Sequence, residues 1–135
     1  MATKVLDSWA LMALFNNEPA ADAVEALLEK AAAGKHKLLM SVVNWGEIYY
    51  SVMRGASREL AERKAGEIAA MPIDIIGVGD DLSLARQAAI YKASHRMSYA
   101  DCFAAALARS KNCELLTGDP EYKTLEKEIK INWLK

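Results

Sequence analysis

Short apolar runs of strand length alternate with longer helical patterns along the whole chain, and this alternation restricts the fold more than any other feature. Thr3 to Leu6, Lys37 to Ser41, Ile73 to Ile76, Cys113 to Leu116 and Ile129 to Trp133 read as buried or half-buried strands. Between them lie helical patterns with recognisable starts and stops. Ser8 to Phe15 is broken by Asn16-Asn17. A second run opens at Glu18-Pro19 and stops at Gly34, and a third, Val42 to Arg54, stops at Gly55. Ser57 caps a run to about Ala70, Asp80-Asp81 opens one toward His95, Ser98 caps an Ala-rich run, and Pro120 to Glu128 is short. This β-α-α-β-α-α-β-α-α-β-α-β order predicts a three-layer α/β/α sandwich around a mostly parallel sheet. Residues 1–135 read as one domain, without repeats or an internal linker.

In an open parallel sheet, sites form beyond the carboxyl ends of the strands, where the following helices begin. Four acids fall on that edge. Asp7 ends the first strand in T-K-V-L-D-S, and Asp119 follows the fourth in E-L-L-T-G-D-P. Asp101 is the only charge in S-Y-A-D-C-F-A-A-A-L-A, in the first turn of its helix. Glu47 stands in a second turn, inside V-V-N-W-G-E-I-Y-Y. Taken singly, three have ordinary explanations. Asp7 and Asp119 stand where helix N-caps stand. Ser98-x-x-Asp101 has the spacing of a capping box, in which Asp101 reaches back to the Ser98 N–H. Glu47 gains nothing from a helix dipole at its position. Taken together they need only one explanation. Two ionised carboxylates about 4 Å apart repel by roughly 4 kcal/mol at an effective dielectric of about 20, so a cluster of them requires a cation. Carboxylate and water oxygens suit Mg²⁺ or Mn²⁺, which points to phosphodiester chemistry.

Other classes are disfavoured. The two cysteines, Cys102 and Cys113, have no zinc spacing, and Cys102 reads as a buried core thiol. Of the two histidines, His36 stands in a polar K-H-K turn and is expected to be exposed, which argues against a histidine ribonuclease. The formal net charge of -1 confines any nucleic-acid contact to a local patch, for which Lys92, His95 and Arg96 are candidates. No segment approaches the roughly 18 apolar residues of a membrane span, and no secretory leader is visible, so a cytoplasmic protein without membrane contact is expected.

Four segments carry a family resemblance: V-L-D-S at 5–8, S-x-x-N-W-x-E at 41–47, S-Y-A-D-C-x-x-A-A-x-A at 98–108 and L-L-T-G-D-P at 115–120. In order and spacing they resemble the PIN-domain ribonucleases, and within them the VapC-like toxins of bacterial and archaeal toxin–antitoxin pairs. The likeness covers essentially the whole chain. It implies a metal site formed by Asp7, Glu47, Asp101 and Asp119 and lined by Ser8, Asn44 and Thr117. It also implies a homodimer held inactive by a small antitoxin. The chain departs from the pattern at Trp9, where many relatives carry a small or aliphatic residue, so this part of the pocket wall is its own.

The expected activity is metal-assisted hydrolysis of RNA, with Asp7 and Asp101 as the main holders of Mg²⁺ or Mn²⁺. Glu47 and Asp119 would position a water or a second cation. Met40, Trp45, Tyr49, Tyr50, Val52 and Met53 form an apolar region, read either as core or as the seat of an antitoxin segment. Two alternatives stay open. One is a PIN-like module that only binds. The other is a phosphotransfer domain with Asp7 as nucleophile, although Asp7-Ser8-Trp9 lacks the second acid of a D-x-D motif.

Overall fold

Strands form where the short apolar runs stand: β1 (Ala2–Leu6), β2 (His36–Ser41), β3 (Ile73–Ile76), β4 (Glu114–Thr117) and β5 (Ile131–Trp133). The structure, a computed structural model, describes residues 1–135. The strands make one sheet in the order β3-β2-β1-β4-β5, and every neighbouring pair is parallel. The helices are α1 (Ser8–Phe15), α2 (Ala21–Ala32), α3 (Val42–Gly55), α4 (Arg58–Ala69), α5 (Ser83–Ser94) and α6 (Tyr99–Ser110), followed by a 3₁₀ helix (Pro120–Leu125).

Alternation along the strands divides the core into two layers. Val5, Leu39 and Leu115 pack with Ala88 and Tyr91 of α5, with α6, and with Tyr122 and Leu125 of the 3₁₀ helix. Leu6, Leu38, Met40 and Leu116 point the other way, against Ala10 and Leu11 of α1, Val24 of α2, Ile48 of α3 and Ile68 of α4. The result is the α/β/α sandwich. Helix α6 touches β1, β2, β4, α3 and α5 at once. Its residues Asp101 through Ala108 are all buried, and the alanines among them allow that close approach from several sides.

Several boundaries differ from the sequence expectation. Helix α2 begins at Ala21, because Glu18 and Pro19 are taken into a turn closed by the Ala21 N–H donating to the Glu18 carbonyl. Helix α5 begins at Ser83, three residues after Asp80. Gly79 takes a left-handed φ of 80°, and Asp81 accepts from the Ser83 hydroxyl, so the acids belong to a turn. The final helix is only the 3₁₀ turn to Leu125. His36 is not in a solvent turn. It opens β2 opposite Ala2, half-buried, and its Nδ1 is sealed off without a partner.

Candidate metal centre

The chain runs from β1 outward through β2 to β3, then returns to place β4 on the other side of β1. The order therefore reverses between β1 and β4, the place where open α/β sheets hold ligands. The register aligns Leu6 with Leu116, so the residues leaving these strands, Asp7 and Thr117, are neighbours by construction. The Thr117 hydroxyl donates to Asp7 Oδ2 at 2.6 Å. Thr117 Oγ1 also accepts the Asp119 N–H at 3.0 Å, so one side chain ties the two acids together.

Asp7 is fully buried. It also N-caps α1, its Oδ1 accepting the Ala10 N–H at 3.0 Å, so the capping role and the place in the acid group coincide in one residue. Burial pushes its carboxyl up to about 7, against the Thr117 and Ala10 hydrogen bonds, and the charges of Asp101 and Asp119 add to the rise.

Asp101 is buried in the first turn of α6, where Ser98 caps the helix by accepting the Asp101 N–H at 3.2 Å. The reciprocal half of the capping box is not formed. The Asp101 carboxylate turns inward instead and accepts from the Tyr122 hydroxyl at 2.9 Å. Burial pushes Asp101 up to about 7 as well, opposed by the Tyr122 bond and reinforced by Asp119 and Glu47. Glu47, three residues after Asn44 on α3, thus stands close enough to act on Asp101. Ser8 donates to the Asn44 carbonyl and accepts from its side-chain amide at 3.0 Å, locking α1 to α3. The Asn44 Oδ1 is buried without a partner.

Asp119, partly buried, N-caps the 3₁₀ helix by accepting the Glu121 N–H at 2.9 Å. The turn fixed by Pro120 brings Glu121 back beside it. Carboxylate oxygens of Asp101, Asp119 and Glu121 all lie within 4.8 Å of one another. This group adds Glu121 to the expected acids, while Asp7 and Glu47 stand close enough for their charges to act on it. A donor set made only of carboxylates, with two members held near 7 by burial, fits a hard divalent cation.

Sequence reasoning missed Glu121 and Tyr122. The signal for Glu121 was the acid two positions beyond Asp119 across a proline. Tyr122 gave none, since a buried tyrosine in a short helix reads as core. The Tyr122→Phe variant removes a bond that favours the ionised Asp101. Its pH profile of metal binding is expected to move to higher pH, and its stability to fall by about 1–2 kcal/mol in thermal melts.

The other expected features are mixed. Cys102 is a core thiol, pushed up to about 11 by burial. In the basic patch, Lys92 donates to the Met97 carbonyl at 2.7 Å, and His95 is held by Thr124 and Glu128. Arg96 is exposed, and all three line a concavity that reaches Ser98 and Glu121. Gly118 is fixed by its neighbour: a Cβ there would stand 2.2 Å from the Trp9 ring. Gly118→Ala is expected to cost about 1–3 kcal/mol by overpacking and to disturb Asp119, visible as a lower Tm together with weaker metal binding.

The family model described as PIN domain matches residues 4–128. Solved structures of similar fold include VapBC2 from Rickettsia felis bound to a DNA fragment from its promoter, with 15% identity, a TM-score of 0.74 and coverage of 98% of this chain and 99% of that one. DNA-bound VapBC from Salmonella typhimurium has 14% identity, a TM-score of 0.73 and coverage of 98% of each chain. VapC20 from Mycobacterium tuberculosis, a toxin that cleaves the sarcin–ricin loop, has 20% identity, a TM-score of 0.69 and coverage of 90% and 93%. No curated protein matches the sequence. The structural likenesses establish the fold, and the family match takes in all four acids and the strands and helices that present them: this chain belongs to the PIN-domain family.

Proposed function

We propose that the protein is a Mg²⁺- or Mn²⁺-dependent endoribonuclease, the toxin of a type II toxin–antitoxin pair. The observation that carries this reading is the gathering of Asp101, Asp119 and Glu121 beside Asp7 and Glu47 at the switch point of the sheet. Capping accounts for Asp7 and Asp119 singly, but not for five acids from four segments crowding at one edge, because each raises the cost of ionising its neighbours.

Asp101 and Asp119, with Asp7 behind them, would hold the cation, and Glu121 is a further candidate. When bound, such an ion polarises a phosphate oxygen and lowers the pKa of a coordinated water. Thr117 keeps Asp7 and Asp119 in register, and Tyr122 aims the Asp101 carboxylate. Glu47 and Asp119, both only partly buried, are placed to orient the attacking water and take its proton. In-line attack leaves a 5′-phosphate and a 3′-hydroxyl. The phosphotransfer alternative is not favoured: Asp7 is fully buried, and both its oxygens are engaged.

An antitoxin partner is supported by the similar VapBC complexes. It is also supported by helix α3, where Val42, Tyr50 and Met53 are exposed along one stripe. Within the same region Met40 is core, and Trp45 stacks on Tyr49. A homodimer in the cytoplasm belongs to the same proposal. No helix is long and apolar enough to cross a membrane.

The test is incubation of the metal-stripped protein with transfer, ribosomal and messenger RNA, followed by Mg²⁺ or Mn²⁺. Cleavage that starts only on metal addition and leaves 5′-phosphates is expected. Cleavage that persists in chelator, or no cleavage of any RNA with either metal, overturns the reading.

A further inference from the structure

Trp9 has no part in the proposed chemistry, yet it touches the loop that carries it. It is the second residue of α1 and is half-buried. The far end of its indole rests on Gly118: a Cβ built there would lie 2.2 Å from Cη2 and 2.5 Å from both Cζ2 and Cζ3. Gly118 joins Thr117 to Asp119, so the indole bears on the backbone that carries Asp119. The same indole lines an open cavity of about 420 Å³, with Met12, Ala13 and Leu134 as apolar wall and Asn16, Glu18 and Lys135 as its polar and charged groups.

We propose that this cavity is a subsite for one unstacked nucleobase of the RNA, next to the scissile phosphate. The proposal rests on the ribonuclease reading and deepens it. Single-stranded RNA is recognised by splaying bases out and stacking them on aromatic side chains. The cavity falls within the roughly 300–1,000 Å³ of small-molecule sites and has their character, apolar with a few polar groups to fix orientation. The Asn16 amide offers both a donor and an acceptor to a base edge, and the Lys135 ammonium a charge to a neighbouring phosphate. Position supplies the occupant: Trp9 is the one aromatic ring that both lines the cavity and rests on the loop before Asp119, so with a phosphate at Asp119 the adjoining base lies beside it.

The test makes Trp9 the only indole, in a Trp45→Phe/Trp133→Phe protein whose Trp9 is untouched. Its fluorescence is followed during titration with the four nucleoside 5′-monophosphates, with ribose 5-phosphate as the base-free control. Saturable quenching by at least one nucleotide, at concentrations where ribose 5-phosphate has no effect, is expected. In parallel, Trp9→Leu is expected to weaken binding of a short single-stranded RNA by roughly 5- to 100-fold, while Trp9→Phe, which keeps a ring, stays within a few-fold of the parent. Silence toward all four nucleotides, equal quenching by ribose 5-phosphate, or a Trp9→Leu protein that binds RNA as tightly as the parent overturns the subsite. Metal-dependent RNA cleavage with a silent Trp9 removes the subsite and leaves the nuclease. Base-dependent quenching with no RNA cleavage under any metal removes the nuclease and leaves a nucleotide site.

Discussion

For the proposed nuclease, Asp101→Asn is expected to reduce metal-dependent RNA cleavage by roughly a thousandfold or more, because several kcal/mol of transition-state stabilisation would depend on a cation that this carboxylate would hold. The fold should survive. The Tyr122 hydroxyl can still donate to the amide oxygen that replaces Asp101 Oδ1. Without metal, the variant should be more stable than the parent at pH 8, since a buried charge among like charges is gone. Cleavage assays and chelator-treated thermal melts, run on one preparation, separate the two effects. A lost activity with a raised metal-free Tm identifies Asp101 as a functional acid. A lost activity with a lowered Tm would reduce it to a structural one.

The second large effect is in pH. In the folded chain Asp7 keeps its proton up to about 7, whereas its ordinary value is 3.8, and Asp101 behaves alike. Between those values the native state binds more protons than the unfolded one, so stability falls as pH rises through this window. For Asp7 the whole window is worth on the order of 4 kcal/mol. Asp101 adds to it less than independently, because the two charges interact. Glu114 works in the opposite sense: the Lys4 ammonium holds it below the usual range, so its contribution is lost as pH falls. Melts between pH 5 and pH 8 therefore isolate the site. The chelated protein should lose Tm steadily over that range, and Asp7→Asn should flatten the loss. Saturating Mg²⁺ should raise Tm more at pH 8 than at pH 5, because protons compete for the same oxygens. A chelated protein whose Tm rises from pH 5 to pH 8 would contradict the burial of these acids.

The architecture was legible in the sequence because the strands are short and apolar and all but the last are followed by a helix start, and a mostly parallel sheet between two helix layers buries such central strands on both faces. The acids were legible for a related reason: Glu47 and Asp101 stand alone in apolar helices, where a charge is expensive. What they do there was less so. Asp101 looked like half of a capping box, and only the packing of the 3₁₀ helix under α6 shows its carboxylate facing Tyr122 instead. Glu121 was hidden for lack of any rule that tells a 3₁₀ turn from an α-helix after Pro120, and the turn decides where its side chain falls. The basic patch was legible only in part. Lys92 and His95 are near in sequence to the site, but a carbonyl and Glu128 already occupy them. Trp9 was visible only as a departure; its contact with Gly118 needed the fold.

The central claim is that these carboxylates hold a divalent cation. Its most direct test is a crystal of the protein soaked in Mn²⁺, read by anomalous scattering. A peak bridging Asp101 and Asp119, absent in the Asp101→Asn crystal, is the expected result. A peak elsewhere on the surface, or none at millimolar Mn²⁺ near pH 8, would contradict the account.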